Sequence, residues 1–187
     1  MNQFKPTIVL TAITTIVALL LIITHIFTYV DTSDIITDKL MAACIEAMGE
    51  GEFAIVSDWQ AEGYGIEKPD SIEKLIKKSD GSIAFEIIIN GYSKNGLDLL
   101  VAMGTDGSVK AVSVVSVSDT PGLGTKVQDS SFLAQFSGKT QQLNAVKNQP
   151  KADNEIQAVT GATYSSTGVT NAVNIAIDVY SQLNISN

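Results

Sequence analysis

From Thr7 to Val30 the chain runs TIVLTAITTIVALLLIITHIFTYV without a charge. A helix needs about 20 apolar residues to cross a bilayer, so the pattern predicts a transmembrane helix over 7–30. The run outlasts the 7–15-residue apolar core of a signal peptide, and no A-x-A-like site follows it, which predicts an uncleaved anchor. Beyond it the spacing changes. Ile36, Leu40, Cys44 and Met48 recur every fourth position, a helical stripe over 35–48 that the GEG at 49–51 ends. FAIVSD (53–58) reads as a strand, and DSIEKLIKK (70–78) as a short amphipathic helix, capped by Asp70 or Ser71 and closed by DGS. IAFEIII (83–89), LDLLVAM (97–103) and VKAVSVVSV (109–117) are strand-like, the last two joined as a hairpin through GTDGS. SDTPGLGTK (118–126) is a Pro–Gly loop, and SSFLAQF (130–136) a short helix capped by Ser130 or Asp129. KNQPKADNEIQ (147–157) is polar and loop-like. From Thr167, helical spacing returns through Val169, Ala172, Val173, Ala176, Tyr180 and Leu183. The fold class is α+β: one N-terminal membrane helix, then a compact domain over 31–187 with an antiparallel sheet and a C-terminal helix.

Charge orients this picture. Lys5 precedes the span, Asp31 and Asp34 follow it, and the next lysine is Lys39. The positive-inside rule puts residues 1–6 in the cytoplasm and everything after residue 30 outside, in a single-pass cell-membrane protein. His25 reads as a partnered or snorkelling side chain near the outer end of the span, with a proton relay as the alternative. The net charge is −8 and the chain has no arginine, which argues against nucleic acid and against guanidinium forks for phosphate. Cys44, the single cysteine, can form no internal disulfide and no thiolate cluster, and reads as a small buried hydrophobe. With one histidine besides, a transition-metal site held by the protein is not expected.

Neither G-x-G-x-x-G nor G-x-x-x-x-G-K-[ST] occurs, so the usual nucleotide cradles are missing. There is no G-x-S-x-G, and the one histidine lies in the span, which removes a Ser–His hydrolase. Two loops remain, TPGLG (120–124) and TGATYSS (160–166). The second opens a helix, where free amides and the helix dipole attract anions. Gly161 permits a turn that a Cβ would obstruct, Ala162 keeps the approach narrow, and Thr163 has a stiff side chain. That arrangement suits a phosphate ester on Thr163. On physical grounds alone a helix cap by Ser165, Ser166 or Thr167 is the favoured reading.

TGAT at 160–163 resembles the S/T-G-A-T flavinylation motif of the FMN-binding domain shared by the RnfG and NqrC subunits of respiratory redox pumps. DTPGLGTKV (119–127) is similar to that family's E-T-P-G-L-G loop, FLAQFSGKT (132–140) to the segment after it, and NGYSKNGLDLLVAMGTDGSV (90–109) to its strand pair. The likeness covers residues 83–180 closely and residues 1–82 by layout. GKT after a short helix, and TGATYSS leading into a Val/Asn/Ala helix, look RnfG-like. One position departs: the family often carries Asp three residues before the motif, where this chain has Gln157, with Asp153 and Glu155 nearby.

The resemblance implies an electron-carrier subunit of an Rnf-type pump. Such a complex passes electrons between ferredoxin and NAD with coupling to Na⁺ or H⁺ translocation. The subunit does no substrate chemistry of its own and relays electrons through FMN joined by a phosphoester to Thr163. The implied partners are the other Rnf membrane subunits, membrane lipid and a flavin transferase that takes FMN from FAD. Within the family pattern, Thr160, Gly161 and Ala162 shape the attachment loop, and Ser165 and Ser166 cap the helix and donate to the phosphate. Thr120, Gly122, Leu123 and Gly124 form a second wall, with Leu123 against the ring. Lys126 is either a counter-charge or a solvated surface lysine. The competing readings are an anchored flavoprotein outside any pump, and a non-redox scaffold whose TGAT is only a cap.

Overall fold

The structure, a computed structural model, describes residues 4–28 and 35–184. It divides into two units, before and after residue 34. The first is helix α1 (Phe4–Thr28). Its stretch Thr7–Thr28 has a mean hydropathy of 2.6 and is long and apolar enough to cross a membrane. The threonines do not spoil it: Thr11, Thr15 and Thr24 donate their hydroxyls to carbonyls one turn earlier, so these polar atoms need no water. The predicted end of the span at Tyr29 and Val30, and Asp31 and Asp34 on which its orientation rests, lie outside the described residues.

The second unit is built on a five-stranded sheet in which every neighbouring pair is antiparallel and chain order is spatial order. Its strands are β1 (Phe53–Ile55), β2 (Lys74–Lys78), β3 (Ile83–Ile89), β4 (Leu97–Met103) and β5 (Val109–Val117). Both faces are covered, and this explains why the central strands read as continuous apolar runs. In β4, Leu97, Leu99, Val101 and Met103 enter one core with Phe85 and Ile87 of β3. Leu100 and Ala102, pointing the other way, enter a second core with Ala84 and Ile76. Helix α4 (Thr163–Gln182) supplies Val169, Ala172, Val173 and Ala176 to the first core. Helix α2 (Asp38–Met48) supplies Leu40, Ala43, Cys44, Ala47 and Met48 to the second. The α2 stripe is the predicted one, with Thr37 as its cap, accepting from the Leu40 amide at 3.3 Å. Burial, and after it the charge of Glu86, pushes the Cys44 thiol up to about 11, so it behaves as the buried hydrophobe expected.

Four elements differ from the sequence reading. Residues 70–78 are not a helix: Lys74–Lys78 form β2, paired with β1 and β3. Ile72, Leu75 and Ile76 do fall at helical spacing, but Leu75 and Ile76 are buried on opposite faces of the sheet, a combination that mimics a helical stripe. DGS is the β2–β3 turn, with Asp80 accepting from the Ser82 amide at 2.9 Å and Gly81 at φ +88°. Inside the expected 147–157 loop lies β7 (Glu155–Gln157), parallel to β6 (Asn144–Val146). The 53–58 strand is shorter, ending at Ile55. The short helix after the Pro–Gly loop is a single turn, α3 (Ser130–Leu133), continued by a 3-10 turn over Ala134–Phe136; Asp129 occupies its N-cap position without a side-chain capping bond.

Candidate functional site

The site forms where two loops separated in sequence meet at the start of α4. The TPGLG loop leaves β5 and passes into a 3-10 turn at Gly124–Gln128, which packs against α4. The TGAT loop approaches from β7 and turns into α4 at Gly161, whose φ of +81° favours glycine; a Cβ there would stand 3.1 Å from Leu123 Cδ2. Between the loops a cavity of about 290 Å³ opens, lined by Tyr92, Thr120, Leu123, Gly124, Gly161, Ala162, Thr163, Tyr164 and Ser165. Leu123 is 46% exposed and the tyrosines about 70%: Tyr92 70%, Tyr164 72%. The two rings meet edge to face at 6.2 Å, leaving an apolar, aromatic rim open to solvent.

Thr163 is the first residue of α4 and is exposed. The N-cap position is Ala162, and no side chain caps the helix. Its leading amides are therefore left to water or to an anion. This corrects the capping expectation for Ser165, Ser166 and Thr167, which lie within the first turns of α4 and are engaged elsewhere. Ser165 donates its hydroxyl to Asp119 Oδ2 at 2.6 Å. Ser166, wholly buried, accepts from the Val159 amide at 2.9 Å and so pins the loop before the motif. Thr167 donates to the Thr163 carbonyl. A hydroxyl has one proton to give, and that of Ser165 is committed to Asp119, so the expected donation from Ser165 to a phosphate is not available in this arrangement.

The other expected residues divide. Thr120, Leu123 and Gly124 line the cavity opposite the TGAT loop. Gly122 lies outside the cavity, in the turn, at φ +74°, its amide donating to Thr125 Oγ1 at 2.9 Å. Lys126 is exposed in the 3-10 turn and Thr160 is exposed in its loop; neither lines the cavity. Tyr92 and Asp119 had drawn no role from the sequence. Asp119 is 3% exposed and accepts from the Tyr92 amide at 3.0 Å and the Ser93 amide at 2.7 Å as well as from Ser165. Burial by itself raises its pKa, but the Ser165 hydroxyl and the two amides outweigh this and hold the carboxyl below its usual value.

The arrangement fits a flavin mononucleotide. Gly161 keeps open a space that a Cβ would narrow toward Leu123, the uncapped helix start offers amides for a phosphate, and the rim suits a planar ring.

The FMN-binding domain family matches residues 91–178. The RnfG protein of the Na(+)-translocating ferredoxin:NAD(+) oxidoreductase complex of Acetobacterium woodii is 35% identical over 66% of this chain and 62% of its own length. Its counterpart in the proton-translocating ferredoxin:NAD(+) oxidoreductase complex of Clostridium ljungdahlii is 38% identical over 54% of this chain and 56% of its own. The chain thus spans roughly three fifths of the curated relatives it matches. The fold is shared with the crystal structure of Shewanella oneidensis NqrC, at a TM-score of 0.54 and 19% identity, covering 76% of this chain and 92% of that one. By sequence match over residues 91–178 and by fold, the chain resembles the FMN-binding domain family, with RnfG proteins among its relatives.

Proposed function

We propose that this chain is an electron-carrier subunit of an Rnf-type membrane complex, passing electrons between ferredoxin and NAD with coupling to Na⁺ or H⁺ translocation. FMN, attached to Thr163 by a phosphoester, supplies the redox chemistry. The observation that carries this reading is the exposed Thr163 at the uncapped start of α4, inside a cavity whose opposite wall is the TPGLG loop.

The chain's own residues divide the work. Thr163 provides the oxygen for attachment: its Oγ1 forms a bond to the flavin phosphorus of FAD, the bond to the AMP moiety breaks, AMP leaves, and the hydroxyl proton passes to a base of a separate flavin transferase. The leading amides of α4, which no side chain caps, would hold the phosphate. Leu123, Tyr92 and Tyr164 offer apolar and aromatic surface on which a planar ring rests. The cavity is near the small end of ligand pockets, about 300 Å³, so a flavin held there by Leu123, Tyr92 and Tyr164 would remain accessible to a redox partner. Lys126 acts as a solvated surface residue. Helix α1 anchors the chain in lipid beside the other complex subunits, with the flavin domain on the extracytoplasmic side.

Covalent attachment is tested by intact mass and in-gel flavin fluorescence on full-length protein coexpressed with a flavin transferase, beside Thr163→Ala. We expect an adduct of one FMN less one water, absent from the mutant. An equal adduct on Thr163→Ala would sink this attachment site. Co-purification with the other membrane subunits tests the pump assignment, and purification as a lone flavoprotein would count against it.

A further inference from the structure

Behind the cavity wall lies a charge to which the flavin reading assigns no role. Asp119 is 3% exposed and makes no ion pair among the described residues. Its Oδ2 accepts from the Ser165 hydroxyl at 2.6 Å and the Tyr92 amide at 3.0 Å, and its Oδ1 from the Ser93 amide at 2.7 Å. Ser165 and Tyr92 line the cavity, as does Gly124, which approaches so closely that a Cβ would stand 2.5 Å from that of Asp119. The carboxylate therefore sits one residue behind the wall on three sides. Three donors aimed at a single carboxyl group suit its ionised form, and the lowered pKa of Asp119 agrees. The outcome is one negative charge, buried, without a cation, where solvent screens it poorly.

We infer that Asp119 tunes as well as positions. It ties the 91–93 turn and the first turn of α4 around the cavity, and its charge lowers the reduction potential of a flavin held there. The inference rests on the flavin reading of this site. Reduction adds electrons to the ring, and a fixed negative charge close behind the wall opposes that addition. The Ser165 hydroxyl takes up part of the charge through a short, charge-assisted hydrogen bond.

Two substitutions should then move the potential in opposite directions. Asp119→Asn removes the charge at nearly constant size and raises it. Ser165→Ala keeps the carboxylate, removes the hydrogen bond that disperses its charge, and lowers it. A purely structural role for Asp119 predicts no such opposition of sign. Asp119→Glu keeps the charge and holds the potential nearer to wild type than Asp119→Asn does.

The experiment is a spectroelectrochemical titration at pH 8 of the full-length flavinylated protein in detergent, after intact mass has shown the adduct. A positive shift for Asp119→Asn with a negative one for Ser165→Ala supports the inference. A normal adduct with an unchanged or lowered potential in Asp119→Asn overturns it and leaves the flavin reading intact. A wild-type chain without adduct removes both. Should Asp119→Asn fail to fold, Ser165→Ala decides alone: a fall in potential supports the tuning charge, and no change or a rise overturns it.

Discussion

Gly124 shows how tightly single residues define this site. A methyl group there would lie 2.5 Å from Asp119 Cβ, the root of its side chain, and 2.9 Å from Ser165 Oγ, which is held by its bond to Asp119, so little can yield. Overpacking of this kind costs about 1–3 kcal/mol. Gly124→Ala is therefore expected to unfold at lower urea by that amount and to take up less flavin, because the strain falls on the Asp119–Ser165 contact beside Thr163. Trp59 is a convenient reporter. It is the chain's single tryptophan, it is buried, and its ring centroid lies 6.1 Å from that of Phe85 in the larger core. An unchanged urea midpoint from Trp59 emission would mean that the close approach is not a real constraint. At this scale the sequence exposes composition and hides contact. TGAT and TPGLG are visible as strings, and the structure does bring them face to face. The bond from Ser165 to Asp119 spans 46 positions, and the one from Tyr92 to Asp119 spans 27. No local pattern encodes either, so Ser165 was legible only as a candidate cap and, through the resemblance, a phosphate donor.

Among the elements, the strands with strong patterns were legible and the weak or two-faced ones were not. IAFEIII, LDLLVAM and VKAVSVVSV are long, β-branched or Leu-rich and punctuated by turns, and all three are strands at the expected bounds. β6 and β7 are three residues each, and their parallel pairing depends on tertiary placement that a short polar stretch cannot announce. β2 failed for a different reason. Its apolar pair is adjacent in sequence and serves two cores, so a strand buried on both faces imitates an amphipathic helix. The distinction is measurable: in a strand between two cores, Leu75 and Ile76 are both fully buried, each against a different helix layer. Leu75→Ala and Ile76→Ala are both expected to cost about 2–5 kcal/mol in urea unfolding. A near-neutral result at either position would show that one face of the sheet is less well covered than the burial implies.

Across the whole molecule, the carboxylates give stability opposing dependences on pH. Asp119 has a lowered pKa for the reasons above, and Asp80 is held at about 2, chiefly by hydrogen bonds from Ser82 and less by Lys78. A carboxyl whose folded-state pKa lies below its unfolded value adds stability above the ordinary carboxylate range, and that stability is lost as pH falls toward the folded pKa. Asp98 works the other way. Burial, then the charges of Glu86 and Glu73, push it up to about 6 against the pull of Lys74 and Lys39, and its Oδ1 is buried without a hydrogen-bond partner. Glu86 is already matched to Lys74 at 2.8 Å, so Asp98 has no comparable ion-pair partner for its charge. Its stabilising contribution is complete below about 4, the usual carboxylate value, and is lost as pH rises through about 6. The full-length protein is thus expected to be most stable near the ordinary carboxylate range, weakening toward pH 2 and again between pH 4 and 7. Asp98→Asn separates the two limbs: an amide cannot ionise, so the variant should resist urea better than wild type at pH 8, with the advantage shrinking below pH 4 while the acid limb persists. Trp59 emission across a urea and pH grid reads this directly, and an Asp98→Asn protein that loses stability at pH 8 would show that the Asp98 charge is accommodated after all.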